Sequence, residues 1–174
     1  MLASLFAMRL LVVRHAPAGD KAEFAASGRS DAERPITDEG RRRMRLAASG
    51  LGRLIERLDV IATSPLRRAR ETAEILAAAY DSPSLETVEA LSPGSPPAAL
   101  MPWLARHDAD ATVAVVGHEP HLSGLASWLA AGSPRPWLEL SKGGACLLEV
   151  EKAAARGATL LWLLDARTLR RLRR

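Results

Sequence analysis

The chain has 174 residues, 48% of them apolar and 25% charged, which suits one globular domain around a single core and not two. Net charge is +4 and the pI about 10, and all but three of the 24 basic residues (Lys21, Lys142, Lys152) are arginine; aromatics at 4% exclude an interleaved stacking platform for single-stranded nucleic acid. The lone Cys146 excludes an internal disulfide and a metal-spaced cysteine pair, and it fits a reducing, cytoplasmic location.

Residues 1–7 are apolar without a basic start and read as an N-terminal extension, before a single domain over 8–166 and a basic tail over 167–174. Residues 8–13 (Met8-Arg9-Leu10-Leu11-Val12-Val13) form the near-continuous apolar run of a strand covered on both faces. The run is too short and wrongly flanked for a signal peptide or membrane span. Residues 16–34, rich in Gly, Ser, Asp and Ala, read as a long surface loop, a feature that often carries function. Thr37 is placed to cap a helix whose first turn holds Asp38 and Glu39, where negative charge suits the helix dipole. Leu46, Leu51, Leu54 and Ile55 would give that helix its apolar face.

A short strand is expected at 60–62, then a Thr63-Ser64-Pro65 cap and a helix over 67–80 with Ala69, Ala73, Leu76 and Tyr80 inward. A proline-rich turn at 92–97 precedes a helix at 98–106. Residues 112–116 are β-branched and apolar, Gly117-His118-Glu119-Pro120 is a turn, and 121–131 is a helix. Strands are expected at 137–140, 145–150 and 159–164, and a helical, solvated and frayed end over 165–174.

Strands alternate with helices through most of this order. That pattern predicts an α/β fold, a three-layer α/β/α sandwich with a mainly parallel sheet. Ligands of such folds bind beyond the carboxyl ends of the strands. Arg14-His15 follows the first strand, Thr63-Ser64 the second, and Gly117-His118 the strand at 112–116. Parallel pairing brings these three clusters to one edge. Two imidazoles and two or three arginines gathered there suit phosphoryl transfer: one imidazole attacks phosphorus, and the arginines stabilise the charge on the non-bridging oxygens. The sequence has neither a glycine-rich P-loop nor a carboxylate cluster spaced for magnesium, so no cofactor or metal is expected.

Three segments then carry a resemblance. Leu11-Val12-Val13-Arg14-His15-Ala16 resembles the Arg-His-Gly signature of the histidine phosphatase (phosphoglycerate mutase-like) superfamily, with alanine for the usual glycine. Ser64-Pro65-Leu66-Arg67-Arg68-Ala69-Arg70-Glu71-Thr72-Ala73 is similar to its second signature, and Val115-Val116-Gly117-His118 to its third. Within the superfamily the chain most resembles the small bacterial phosphohistidine phosphatases of the SixA branch, through Arg34-Pro35-Ile36-Thr37-Asp38-Glu39-Gly40, Gly117-His118-Glu119-Pro120 and Lys142-Gly143-Gly144.

The resemblance implies that His15 is the nucleophile, that Arg14 and Arg68 bind phosphate, and that His118 contacts the transferring group. Arg68 and not Arg67 aligns with the family arginine, because it directly precedes the alanine. Ser64 is either a plain helix cap or also a phosphate contact, and Arg34 either a loop charge or a further phosphate arginine. His121, three residues after His118, reads as a non-ligand. The chain departs from larger members in having no inserted lobe with a general acid between the second and third signatures; Glu86 and Glu89 are the carboxylates near Ser92-Pro93-Gly94 in that interval, and Glu89 is the candidate acid. A phosphorylated imidazole is a better leaving group than an alkoxide, so weak acid assistance favours a phosphoramidate. The expected activity is therefore metal-independent hydrolysis of a phosphoric monoester or phosphoramidate. The expected partner is a phosphorylated histidine-containing signalling protein. The alternatives are a small phosphoester or nucleotide substrate, or a non-catalytic phosphate- or nucleic-acid-binding module. No nucleic-acid or membrane partner is expected, and the chain is expected to be a monomer or weak dimer.

Overall fold

A computed structural model describes residues 7–173, so most of the expected N-terminal extension lies outside the described residues. Six strands form one sheet: β1 (Met8–Arg14), β2 (Val60–Thr63), β3 (Ser84–Thr87), β4 (Thr112–Gly117), β5 (Ala145–Val150) and β6 (Ala158–Leu164). Their order across the sheet is β3-β2-β4-β1-β5-β6. The pairs β1–β4, β2–β4 and β2–β3 are parallel, and β1–β5 and β5–β6 are antiparallel. The mainly parallel sheet expected from the sequence is present.

The central strands are apolar on both faces because helices cover both. Leu11, Val13, Ile61, Ala114 and Val116 pack into one core cluster. Leu10, Val12, Ala62, Val113 and Val115 pack into the other. The alternation is the period of two that a strand imposes. Helices α2 (Asp38–Leu51) and α3 (Arg67–Ala77) close the first face, and α4 (Met101–Leu104) and α5 (His121–Ala131) close the second. The result is the three-layer α/β/α sandwich.

Several local expectations are corrected. Residues 137–140 form no strand: Trp137 N–H donates to Ser127 Oγ at 3.3 Å and Leu140 N–H to Glu119 Oε1 at 3.0 Å, so side chains replace a ladder. Strand β3 is an exposed edge of sequence Ser-Leu-Glu-Thr, too polar to announce itself. The loop at 16–34 holds helix α1 (Lys21–Ala26), which buries nothing, and a 3₁₀ turn at Asp31–Glu33. Thr37 does cap α2, its side chain accepting from Gly40 N–H, but the buried face is Met44, Ala47, Ala48 and Leu51, and Leu54 is exposed. Helix α3 begins at Arg67 with Leu66 at the cap position, so Ser64 is not its N-cap.

The C-terminal segment is not frayed. Helix α6 (Ala166–Leu172) is capped by Asp165, whose carboxylate accepts from Thr168 N–H at 2.6 Å, and it lies on α2 with Leu169 fully buried. The approach is so close at Gly50 that a Cβ there would stand 1.9 Å from the Leu169 carbonyl oxygen. Overpacking of a backbone contact costs about 1–3 kcal/mol. Gly50→Ala should therefore lower stability by that amount in denaturant melts, and an unchanged midpoint would contradict this packing.

Candidate active site

Arg14 and His15 stand where β1 runs out. The backbone there is pinned from both sides: His15 N–H donates to Gly117 O at 3.0 Å and Arg14 N–H to Gly144 O at 3.1 Å. Gly143 N–H reaches the carbonyls of both Arg14 and His15, at 3.1 and 3.2 Å. Ser64 N–H donates to Val116 O at 3.0 Å, which ties the end of β2 to the end of β4. The three sequence clusters therefore meet at one sheet edge, and the Gly143-Gly144 turn joins them because antiparallel β5 begins there.

His15 is 7% exposed. Its Nδ1 lies 2.7 Å from the carbonyl oxygen of Ala16. A carbonyl only accepts, so Nδ1 carries the proton and the lone pair belongs to Nε2. Ala16 is itself fixed by its N–H to Thr72 Oγ1 at 3.0 Å, and that hydroxyl donates to Arg68 O at 2.7 Å. Burial, and then the charges of Arg68, Arg14 and Arg34, hold the His15 pKa down to about 4 against the hydrogen bond to Ala16. The imidazole is neutral at pH 7.

The His118 ring lies 5.2 Å from the His15 ring, centroid to centroid. Its Nε2 is 2.8 Å from Ser64 Oγ, which also takes Leu66 N–H at 3.3 Å. With Ser64 donating its hydroxyl the proton of neutral His118 sits on Nδ1, and with Ser64 accepting from Nε2–H the lone pair belongs to Nδ1. That atom is buried and has no hydrogen-bond partner among the described residues. Burial, then the charges of His15, Arg68 and His121, push the His118 pKa down to about 3. Ser64 thus acts on the tautomer of His118. His121 is also buried, with neither ring nitrogen bonded among the described residues.

Arg14 donates Nη1 to Leu140 O at 2.7 Å, and Leu140 is in turn held by Glu119. That is why residues 137–140 are not a strand: the segment serves as an anchor for Arg14. Arg68 is 6% exposed and turned inward, whereas Arg67 points outward and pairs with Glu71 at 2.9 Å. The Nε atoms of both Arg14 and Arg68 are buried without a partner among the described residues. Arg34 is close enough for its charge to act on His15, but its Nε and Nη1 are engaged by Asp31 and Gly19. Glu89 is exposed on the 3₁₀ turn after β3 and accepts from Ser92 Oγ at 3.3 Å. Glu86 is committed to Trp103 Nε1 at 2.9 Å and to Arg106 at 3.3 Å.

Sequence reasoning missed Asp31. Its carboxylate bonds Arg34 and Arg68, and its charge acts on His118. Nothing in a loop without periodicity marks one aspartate above Asp20 or Glu33. No group of three or more His, Cys, Asp or Glu side chains able to hold a metal ion occurs among the described residues. Nor is any described helix long and apolar enough to cross a membrane.

The histidine pKa values carry a sign for stability. Between pH 6.5 and about 4 the unfolded chain takes up a proton at His15 that the folded chain refuses, and His118 extends this window to about 3. More protons on the unfolded state means stability that rises with pH. Acidification from pH 7 to 4.5 should lower the melting temperature, and His15→Ala should lose part of that decrease. An equal decrease in the variant would contradict the placement of His15 as buried and neutral.

The mainly parallel α/β/α sandwich, with imidazoles and arginines at its carboxyl edge, is the phosphoglycerate mutase-like fold. Residues 10–92 match the family described as histidine phosphatase superfamily, branch 1. The chain belongs to the histidine phosphatase superfamily. It is 39% identical over 151 residues to an uncharacterised protein of Picosynechococcus sp., covering 86% of this chain and 88% of that one. It is similar in structure to the protein histidine phosphatase SixA complexed with tungstate (TM-score 0.77, 24% identity, 93% of this chain and 99% of that one). A Nakamurella multipartitia protein assigned as phosphohistidine phosphatase SixA aligns with a TM-score of 0.73 at 25% identity, covering 91% and 96%. The mycobacterial glucosyl-3-phosphoglycerate phosphatase shares the fold at a TM-score of 0.67 and 18% identity, covering 90% and 99%.

Proposed function

We propose that this phosphatase hydrolyses phosphohistidine on a protein, through a phosphoryl intermediate on His15. The observation that carries the reading is the polarity of the site. His15 has its Nδ1 proton held by Ala16, so Nε2 is the free nucleophile; the charges of Arg68 and Arg14 act on this ring, and Arg14 Nε, Arg68 Nε and His118 Nδ1 are buried without a partner among the described residues. In the first step Nε2 forms a bond to phosphorus while the bond from phosphorus to the leaving nitrogen breaks; the bonding pair stays on that nitrogen, and the imidazole leaves neutral because its other ring nitrogen already carries a proton. In the second step water attacks phosphorus, its proton passes to solvent, phosphate departs and the neutral imidazole returns. The arginines and His118 bind the non-bridging oxygens through both steps. No metal or cofactor enters this scheme.

A protein phosphohistidine suits the site because neither Glu86 nor Glu89 is poised to protonate an alkoxide. Glu86 is engaged elsewhere and Glu89 is exposed. The fold likeness to SixA points the same way. A second reading, a small phosphoester substrate, is favoured by the position of Glu89 after β3 and by sugar-phosphate phosphatases of the same fold. Phosphate release from a phosphorylated phosphotransfer domain, an aryl phosphate and a sugar phosphate, each with chelator present, tests both. The expected result is a kcat/KM for the phosphohistidine protein at least about 10-fold above that for either ester, unchanged in Glu89→Gln. Faster ester turnover that collapses in Glu89→Gln would establish the second reading instead.

A further inference from the structure

Asp31 sits on the 3₁₀ turn Asp31–Glu33, in the segment between β1 and α2. Its Oδ1 accepts from Arg34 Nε at 2.8 Å, and its Oδ2 lies 3.1 Å from Arg68 Nη2. Its backbone carbonyl accepts from Arg68 Nη1 at 2.9 Å. One residue therefore holds both Nη atoms of Arg68 and couples Arg68 to Arg34, which is tied to the start of the same loop through Gly19 O at 2.7 Å. With its Nη end fixed, Arg68 keeps a buried Nε without a partner. The arrangement repeats that of Arg14, whose Nη1 is tied to Leu140 O and whose Nε is likewise unpartnered.

We infer that Asp31 is a positioning residue for phosphoryl transfer: it clamps Arg68 by its Nη end so that Nε faces the phosphoryl oxygens, and it brings Arg34 beside the same group. The inference rests on the reading of Arg68 as a phosphate ligand. An exposed ion pair contributes little, because solvent screens it and two long side chains must be ordered. This pair differs in that the Arg68 side chain is 7% exposed, so its guanidinium has few other partners to choose from. A planar guanidinium acts through direction as well as charge, so once its Nη end is released its Nε–H is no longer held in one direction. The carboxylate persists at working pH: burial opposes its charge, but the Arg34 hydrogen bond and the Arg68 charge outweigh burial and hold its pKa below the ordinary value.

A double-mutant cycle on kcat/KM with a phosphorylated phosphotransfer domain tests the clamp. Asp31→Ala should lose about 10-fold or more, and Arg68→Ala about 10²–10³-fold. In the Arg68→Ala background, Asp31→Ala should cost less than about 2-fold, since the group it positions is gone. An Asp31→Ala loss that persists in full beside Arg68→Ala would overturn the inference, because the aspartate would then act through something else. So would wild-type turnover in Asp31→Ala. Wild-type turnover in Arg68→Ala would instead remove the phosphate-ligand reading beneath it, and the melting temperatures of the two single variants separate either outcome from a folding defect.

Discussion

His15→Ala is expected to reduce phosphate release by on the order of 10⁴-fold or more, down to what the arginines achieve by binding alone. The reason is covalent. Nε2 of His15 has the lone pair directed by the Nδ1–Ala16 hydrogen bond, and its ring is neutral well below pH 7. His118 is not equivalent, since its Nε2 is engaged by Ser64 Oγ at 2.8 Å and its Nδ1 is buried. Substrate binding should survive far better than turnover, because the phosphate donors remain. The check is single-turnover phosphate release together with binding of vanadate. Turnover within about 10-fold of wild type would remove His15 from the reaction.

Arg68→Ala is expected to cost about 10²–10³-fold in kcat/KM, the range for removing a preorganised donor to developing charge. Arg68 is carried on the first turn of α3 and faces the site, while its neighbour Arg67 turns outward, half-exposed, and pairs with Glu71. Arg67→Ala should therefore stay within about 3-fold of wild type, since surface ion pairs contribute little. Arg68→Lys should recover only part of the loss, because an ammonium cannot hold Asp31 through two nitrogens and present a third donor at the same time. Equal losses at 67 and 68 would mean that charge near α3 matters and not the direction of one guanidinium.

How much of this was legible from sequence follows from the kind of signal each element gives. Strands β1 and β4 are buried on both faces and announce themselves as apolar runs; β3, an exposed edge, gives none. Arg14, His15, Arg68 and His118 were legible because each sits at a strand end or helix start with its family signature around it. The segment 137–140 looked like a strand because it is apolar, yet its amides are bound by Ser127 and Glu119 from other elements, a tertiary fact that local pattern cannot carry. Helix α6 looked like a solvated tail because of its arginines, while the residues that seat it are Leu169 and the missing side chain of Gly50. Asp31 is the clearest case: its importance lies in two arginines, one of them 37 residues away, and appears only when the loop folds back on α3.

The central claim is that a phosphoryl group passes through His15. Rapid acid-free quenching after brief exposure to a phosphorylated photostable phosphoramidate or phosphotransfer domain, followed by peptide mass spectrometry, tests it most directly. The account predicts a phosphoryl adduct on His15 that forms and decays at catalytically competent rates and is lost in His15→Ala. Phosphate release with no adduct at any time, or an adduct on another residue, would contradict it.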